Sequence, residues 1–218
     1  MRKNGKNPEN IALNVTDLAC ERGGFEIFGD VSFTAKPGEV ILLRGPNGAG
    51  KSTCLATLYG ALPKSAGDIS FENIDPEREP REYLHIVGHV PGVKTTLTVK
   101  ENLSFWAQLY GGTENVLPAI EAAGLGAIQD SEASILSAGQ TRRLGLARLL
   151  VANRPIWILD EPTSALDKQG DQWVGQLIAD HCAEGGIVIA ATHLEIPHLA
   201  PEAVKTVMIG QAAMDHAS

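Results

Sequence analysis

Gly45-Pro46-Asn47-Gly48-Ala49-Gly50-Lys51-Ser52-Thr53 is the stretch on which the reading of this chain turns. These nine residues fit the phosphate-binding loop pattern G-x-x-x-x-G-K-[ST]. Val40-Ile41-Leu42-Leu43, just before them, is an apolar run of buried-strand length, and Cys54 to Ala61, just after, reads as the start of a helix. A glycine-rich loop between strand and helix lets backbone N–H groups turn inward around phosphate oxygens. The helix N-terminus adds partial positive charge at the same place. Lys51 is placed to reach the β- and γ-phosphates of a nucleotide, and the Ser52 hydroxyl to hold Mg²⁺. As a loop lysine, Lys51 is expected to be exposed and to pack little.

The chain has 218 residues, of which 44% are hydrophobic and 20% charged. That suits one α/β domain, or a core domain carrying a small insert. The net charge of −8 argues against a mainly electrostatic nucleic-acid binder. No apolar run approaches the roughly 20 residues of a membrane-spanning helix. Met1 to Asn10 is polar, lacks the apolar core of a signal peptide and reads as a loosely held tail, so a cytoplasmic protein is expected. Cys20, Cys54 and Cys182 form no CxxC pair. Neither a zinc site nor a disulfide framework is indicated, and reduced, partly buried thiols are expected.

Along the chain, Ile11 to Val15 and Val31 to Ala35 alternate like strands with one wet face, and Pro37-Gly38-Glu39 turns into the strand that feeds the phosphate loop. Gly67 to Phe71 and Leu84 to Val87 are further strands, separated by a polar, proline-rich loop at Asn73 to Arg81. From about Val93 to Ala152 the pattern turns helical. Thr98 and Glu101 form a capping box, a second helix spans Asn115 to Ala123 and stops at Gly124, and a third follows Gly139 with Leu144, Leu146, Leu149 and Leu150 as its apolar side. Strands return at Ile156 to Leu159, Ile187 to Ala191 and Val204 to Met208, with a helix near Gly170 to Glu184. The order implies a layered α/β core with a helical subdomain inserted at about 93–152.

Two further stretches carry chemistry. Ile156-Trp157-Ile158-Leu159 runs into Asp160-Glu161 at the strand end where α/β sheets place ligands. Asp160 is a candidate Mg²⁺ ligand, and Glu161 a candidate general base for an attacking water. Leu136-Ser137-Ala138-Gly139-Gln140 begins a helix, so its N–H groups and the Ser137 hydroxyl are placed to grip another anion.

Together these stretches resemble the ATP-binding-cassette (ABC) family over nearly the whole chain after the tail, at 11–218. Leu136 to Gln140 looks like that family's signature motif, with Ala138 in place of a glycine. Ser164-Ala165-Leu166-Asp167 resembles its D-loop, and His193 its switch histidine, which contacts the γ-phosphate. The resemblance implies a P-loop cassette with a mixed β-sheet core and an inserted helical subdomain. It implies ATP and Mg²⁺ as cofactors, with Ser137, Gly139, Gln140 and Asp167 contributing to nucleotide binding. Two cassettes would pair as an isologous homodimer, each ATP lying between one phosphate loop and the other copy's signature.

Two positions depart from the family pattern. A glutamine usual in the loop after Val87, which contacts Mg²⁺ and the membrane partner, would fall near Gly92, so His89 or a neighbouring backbone group is expected to take its coupling role. An aromatic that stacks on adenine is usual near position 22. Here Arg22 stands there with Phe25 close by, and either of them stacks or neither does.

Within the family, Cys20-Glu21-Arg22, Val87-Gly88-His89, Pro91 to Thr95, Glu101-Asn102-Leu103, Leu136 to Arg143 and Trp157 to Pro162 resemble the ATPase subunit of cytochrome c biogenesis (haem exporter) complexes. That likeness implies an integral membrane partner and a peripheral position on the cytoplasmic face of a bacterial inner membrane. It leaves open haem export and release of haem from a chaperone. Two alternatives stand beside it. One is a motor for another substrate, since cassettes share the nucleotide motifs. The other is a soluble non-transport cassette, which would usually carry a long coiled-coil insert or a second fused cassette; this chain has neither.

Overall fold

The computed structural model describes residues 10–210, so most of the expected tail lies outside the described residues. Five short strands form a parallel sheet in the order β5-β6-β7-β3-β8: β3 (Val40–Arg44), β5 (Leu84–Val87), β6 (Ile156–Asp160), β7 (Ile187–Ala191) and β8 (Val204–Met208). Every residue of β6 and β7 is buried, as is every residue of β3 but Arg44. That is why these strands read as unbroken apolar runs: a parallel sheet is covered on both faces.

The side-chain period of two divides them between two cores. Ile41, Leu43, Ile156, Ile158 and Ile189 face one side, packed against Cys54, Leu55 and Leu58 of α1 (Lys51–Leu58). Val40, Leu42, Trp157, Leu159, Val188 and Ala190 face the other, against Val174, Leu177 and Ile178 of α5 (Lys168–Ala183).

Beyond α1 lies a second, antiparallel sheet of order β2-β1-β4, made of β1 (Ala12–Arg22), β2 (Phe25–Ala35) and β4 (Ala66–Glu72). Its inner residues Leu13, Val15, Leu18, Phe28 and Val31 join the core on the α1 side. The mix of parallel and antiparallel strands is thus divided between two sheets. β1 and β2 run well past the runs legible in the sequence. Asp17 and Asp30 take left-handed backbone (φ 48° and 55°), and the β1–β2 register shifts between Val15 and Leu18 and again between Leu18 and Cys20. These bulges break the alternation that sequence reading depends on.

Between β5 and β6 come α2 (Val99–Tyr110), α3 (Val116–Ala122) and α4 (Ala138–Ala147), which share a third core of Val99, Leu103, Ala107, Ile120, Leu125, Leu144 and Val151. Thr98 caps α2 in a reciprocal capping box with Glu101. Past Ala147 the third helix tightens into a 3₁₀ turn at Arg148–Leu150. Rings and guanidinium groups join the helices to β5. His85 is fully buried, edge-on to Tyr110 at 4.9 Å, while Arg148 and Arg154 cover the Trp106 and Tyr110 rings. Burial pushes the His85 imidazole down to about 3.

Candidate active site

Parallel strands end at one edge, so the strand order puts four loops side by side there. The loop after β5 (88–98) is followed across the sheet by Asp160-Glu161 after β6, Thr192-His193 after β7, and the phosphate loop after β3. Main-chain and side-chain bonds stitch the row together. Glu161 N donates to Ala191 O at 2.8 Å, and Arg44 Nη1 donates to Thr192 O at 2.9 Å.

In the phosphate loop, Gly45 (φ 148°) and Gly50 (φ 92°) sit where no other residue fits. A β-carbon on Gly45 would collide with Ile209 O, and one on Gly50 would lie 2.9 Å from Ile27 O of β2. Gly50 is the N-cap of α1 and carries no side chain to block the helix N-terminus. Pro46, Asn47 and Gly48 are exposed, Ala49 and Thr53 half-buried, and the Ser52 side chain faces solvent.

Lys51 departs from expectation. It is 8% exposed, and its Nζ donates to Gly45 O at 2.8 Å and Pro46 O at 3.0 Å. The ammonium is therefore a structural clamp on its own loop, because a helix-start lysine folded under the loop finds carbonyls before water.

Glu161 has left-handed backbone (φ 48°), a strained geometry that turns it sharply off the end of β6. Its Oε1 lies 3.1 Å from His193 Nδ1, and its Oε2 is buried without a hydrogen-bond partner. A buried carboxylate oxygen with no partner fits a bound water. His193 itself is mostly exposed, which leaves its far ring nitrogen open to an incoming phosphate. Asp160, 8% exposed, ends β6, and with the Ser52 hydroxyl it offers hard oxygen donors. Such a pair suits a Mg²⁺ ion that keeps waters and phosphate oxygens as its other ligands.

Ser137, Gly139, Gln140 and Asp167 lie elsewhere. With Gly124, Arg143 and Ala165 they line a cavity of about 450 Å³ to which no phosphate-loop residue contributes. Ser137 and Gln140 are engaged with each other. Gln140 N donates to Ser137 Oγ at 3.2 Å, and Ser137 N donates to Gln140 Oε1 at 2.9 Å. The hydroxyl acts as acceptor there and keeps its proton to donate. Asp167 caps α5 by accepting from Gly170 N at 2.7 Å and also accepts from Arg143 Nη2 at 2.9 Å; these bonds hold its carboxyl below the usual range.

Gly92 explains one departure noted above. Its backbone is left-handed (φ 68°), which strains any residue with a side chain, and a β-carbon there would press on Arg148 Nη1 at 3.1 Å. The His89 side chain is exposed, whereas its carbonyl is held by the protein. Phe25 is 76% exposed, two residues before the Ile27 that packs on Gly50. Arg22 pairs with it across the β1–β2 hairpin and is also exposed.

The sequence pattern of the ABC transporter family matches residues 28–164. The chain belongs to this family. As an ABC ATP-binding subunit it is an ATPase. It is 49% identical over 182 residues to the cytochrome c biogenesis ATP-binding export protein CcmA of Rhodopseudomonas palustris, covering 83% of this chain and 91% of that protein. To the CcmA of Cereibacter sphaeroides it is 48% identical, covering 84% and 83%. Among solved structures, cbiO1 from Clostridium perfringens, part of the ABC transporter complex cbiONQ, superposes with a TM-score of 0.71 at 29% identity, covering 91% of this chain and 85% of that one. No helix among the described residues is long and apolar enough to cross a membrane.

Proposed function

We propose that this chain is the ATP-hydrolysing, energy-coupling subunit of an ABC complex for cytochrome c biogenesis, working with an integral membrane subunit on the cytoplasmic face of a bacterial inner membrane. The observation that carries it is the row of loops along one sheet edge, in a chain 49% identical to a cytochrome c biogenesis export protein. Gly45 to Thr53 bind the phosphates of ATP, with Lys51 supplying charge. Ser52 and Asp160 hold Mg²⁺, which offsets charge on the phosphates when bound. Glu161 takes a proton from, or orients, the attacking water, and His193 fixes the γ-phosphate relative to it.

The separate cavity at Ser137, Gly139, Gln140 and Asp167 supports a homodimer in which that surface meets the ATP of the other copy. The membrane subunit docks on the exposed Val90 of the loop after β5 and on Phe105 and Leu109 of α2, which lie one turn apart on an exposed apolar face. Deleting the gene in its host tests the assignment. Holo-cytochrome c should be lost and be restored by the wild-type gene but not by Glu161→Gln. Normal holo-cytochrome c in the deletion strain would overturn it.

A further inference from the structure

Arg142 is a charged side chain with only 2% exposure, sunk between two of the four loops. Toward the loop after β5, Nη1 donates to Gly88 O at 2.9 Å and His89 O at 3.3 Å. Toward the loop after β6, Nη2 donates to Asp160 O and Glu161 O, each at 2.7 Å, and Nε to Pro162 O at 3.3 Å. Desolvation lowers the guanidinium's affinity for its proton, and the Asp160 and Glu161 charges oppose that. All five bonds end on main-chain carbonyls, so a change in either backbone is felt through one rigid planar group. The loop after β5 is also seated on α4, the helix that carries Arg142. A β-carbon on Gly145 would lie 2.6 Å from Pro91 Cβ, and Arg148 donates to Ile86 O and to Pro91 O.

We propose that Arg142 is a positioning residue that couples the loop at Gly88-His89 to the main chain of Glu161, so that movement of one resets the other. Glu161 stands in a strained left-handed conformation, and such a conformation persists only while its surroundings hold it. Its carbonyl accepts from Ser164 N at 3.0 Å within its own turn and from Arg142 at 2.7 Å, and of these two donors only Arg142 also holds the loop after β5. A partner pressing on the loop after β5 therefore reaches the catalytic carboxylate through a single guanidinium, without passing through the phosphate loop. This rests on the reading of Glu161 as the base and of the loop after β5 as the membrane-facing loop.

The test uses the full chain with ATP and Mg²⁺. Arg142→Lys keeps the charge but cannot span both sets of carbonyls. It should lower kcat about 10- to 100-fold, as expected when a reacting group is misplaced by a fraction of an ångström to an ångström. KM and the Kd for ATP should stay within about threefold of wild type, since no phosphate-loop contact is lost. A merely structural role does not predict that split. Amide exchange is the second readout: ATP should change the protection of residues 88–92 in wild type but not in Arg142→Lys. Should Arg142→Lys fail to fold, Arg142→Gln, whose one amide reaches one loop but not both, carries the same two readouts. Wild-type kcat, or a nucleotide response at 88–92 that survives the substitution, overturns the proposal. Glu161→Gln run in parallel separates the two failures. Full turnover in that variant sinks the reading of the base, whereas impaired Glu161→Gln beside normal Arg142→Lys sinks only the coupling.

Discussion

Replacing Lys51 by alanine should damage both the nucleotide site and the fold. The ammonium donates to Gly45 O and Pro46 O and is 8% exposed. A hydrogen bond involving a charged group contributes about 1.5–3 kcal/mol net. In the alanine variant water reaches the exposed Pro46 carbonyl, so the loss in the free protein corresponds to about one such bond rather than two. For a domain of this size each kcal/mol shifts Tm by roughly 2–4 °C, which gives a fall of about 3–12 °C. In the proposed function the same ammonium supplies charge to the β- and γ-phosphates of ATP. Losing that charge-assisted contact costs about 1.5–3 kcal/mol again, or roughly a 10- to 150-fold rise in Kd. Titration calorimetry with ATP and Mg²⁺ measures the second quantity, and thermal unfolding without nucleotide the first. An unchanged Kd would refute the assignment of the loop. An unchanged Tm would refute the clamp between Lys51 and its own loop.

Burial holds His85 neutral with a value of about 3 against the ordinary 6.5, so below about pH 6.5 the unfolded chain takes up a proton that the folded one refuses. Its contribution is complete above that pH and fades as pH falls, by roughly 2 kcal/mol at pH 5; in His85→Phe the fall in denaturant stability between pH 7 and 5 should be shallower, and equal slopes would contradict this. Gly45→Ala drives a β-carbon into Ile209 O at a backbone angle of φ 148° and should lower stability by about 1–3 kcal/mol, read as a lower denaturant midpoint; a wild-type midpoint would show that the loop has room to move. His89→Ala removes an exposed side chain but keeps the carbonyl that Arg142 holds, so ATP affinity by calorimetry should not change while holo-cytochrome c in the host falls; full holo-cytochrome c would remove the side chain from coupling.

What was legible in the sequence is what local pattern encodes. The boundaries of β5, β7 and β8 and the capping box at Thr98 follow from short apolar runs and cap chemistry. The phosphate loop was legible from its own motif, Asp160-Glu161 from the apolar strand that runs into them, and His193 from the resemblance to the family; parallel pairing brings the ends of their strands to one edge. The length of β1 was hidden by the bulge at Asp17, and the first half of β2 by Asp30. Lys51 was misjudged because burial under a loop is a tertiary property that spacing does not reveal. Arg142 had no signal of its own. It sits in a polar run, Gln140-Thr141-Arg142-Arg143, and only the fold distinguishes it from Arg143, which reaches outward to Asp167.

The central claim is that Glu161 is the base for ATP hydrolysis, and Glu161→Gln addresses it directly. The amide keeps the shape and the hydrogen bonding but loses the charge and basicity. General-base catalysis contributes about 10²–10⁴-fold, so phosphate release should fall by about that factor while ATP binding persists. With ATP the variant should elute as a closed dimer on size-exclusion chromatography. Phosphate release at the wild-type rate in Glu161→Gln would contradict the account.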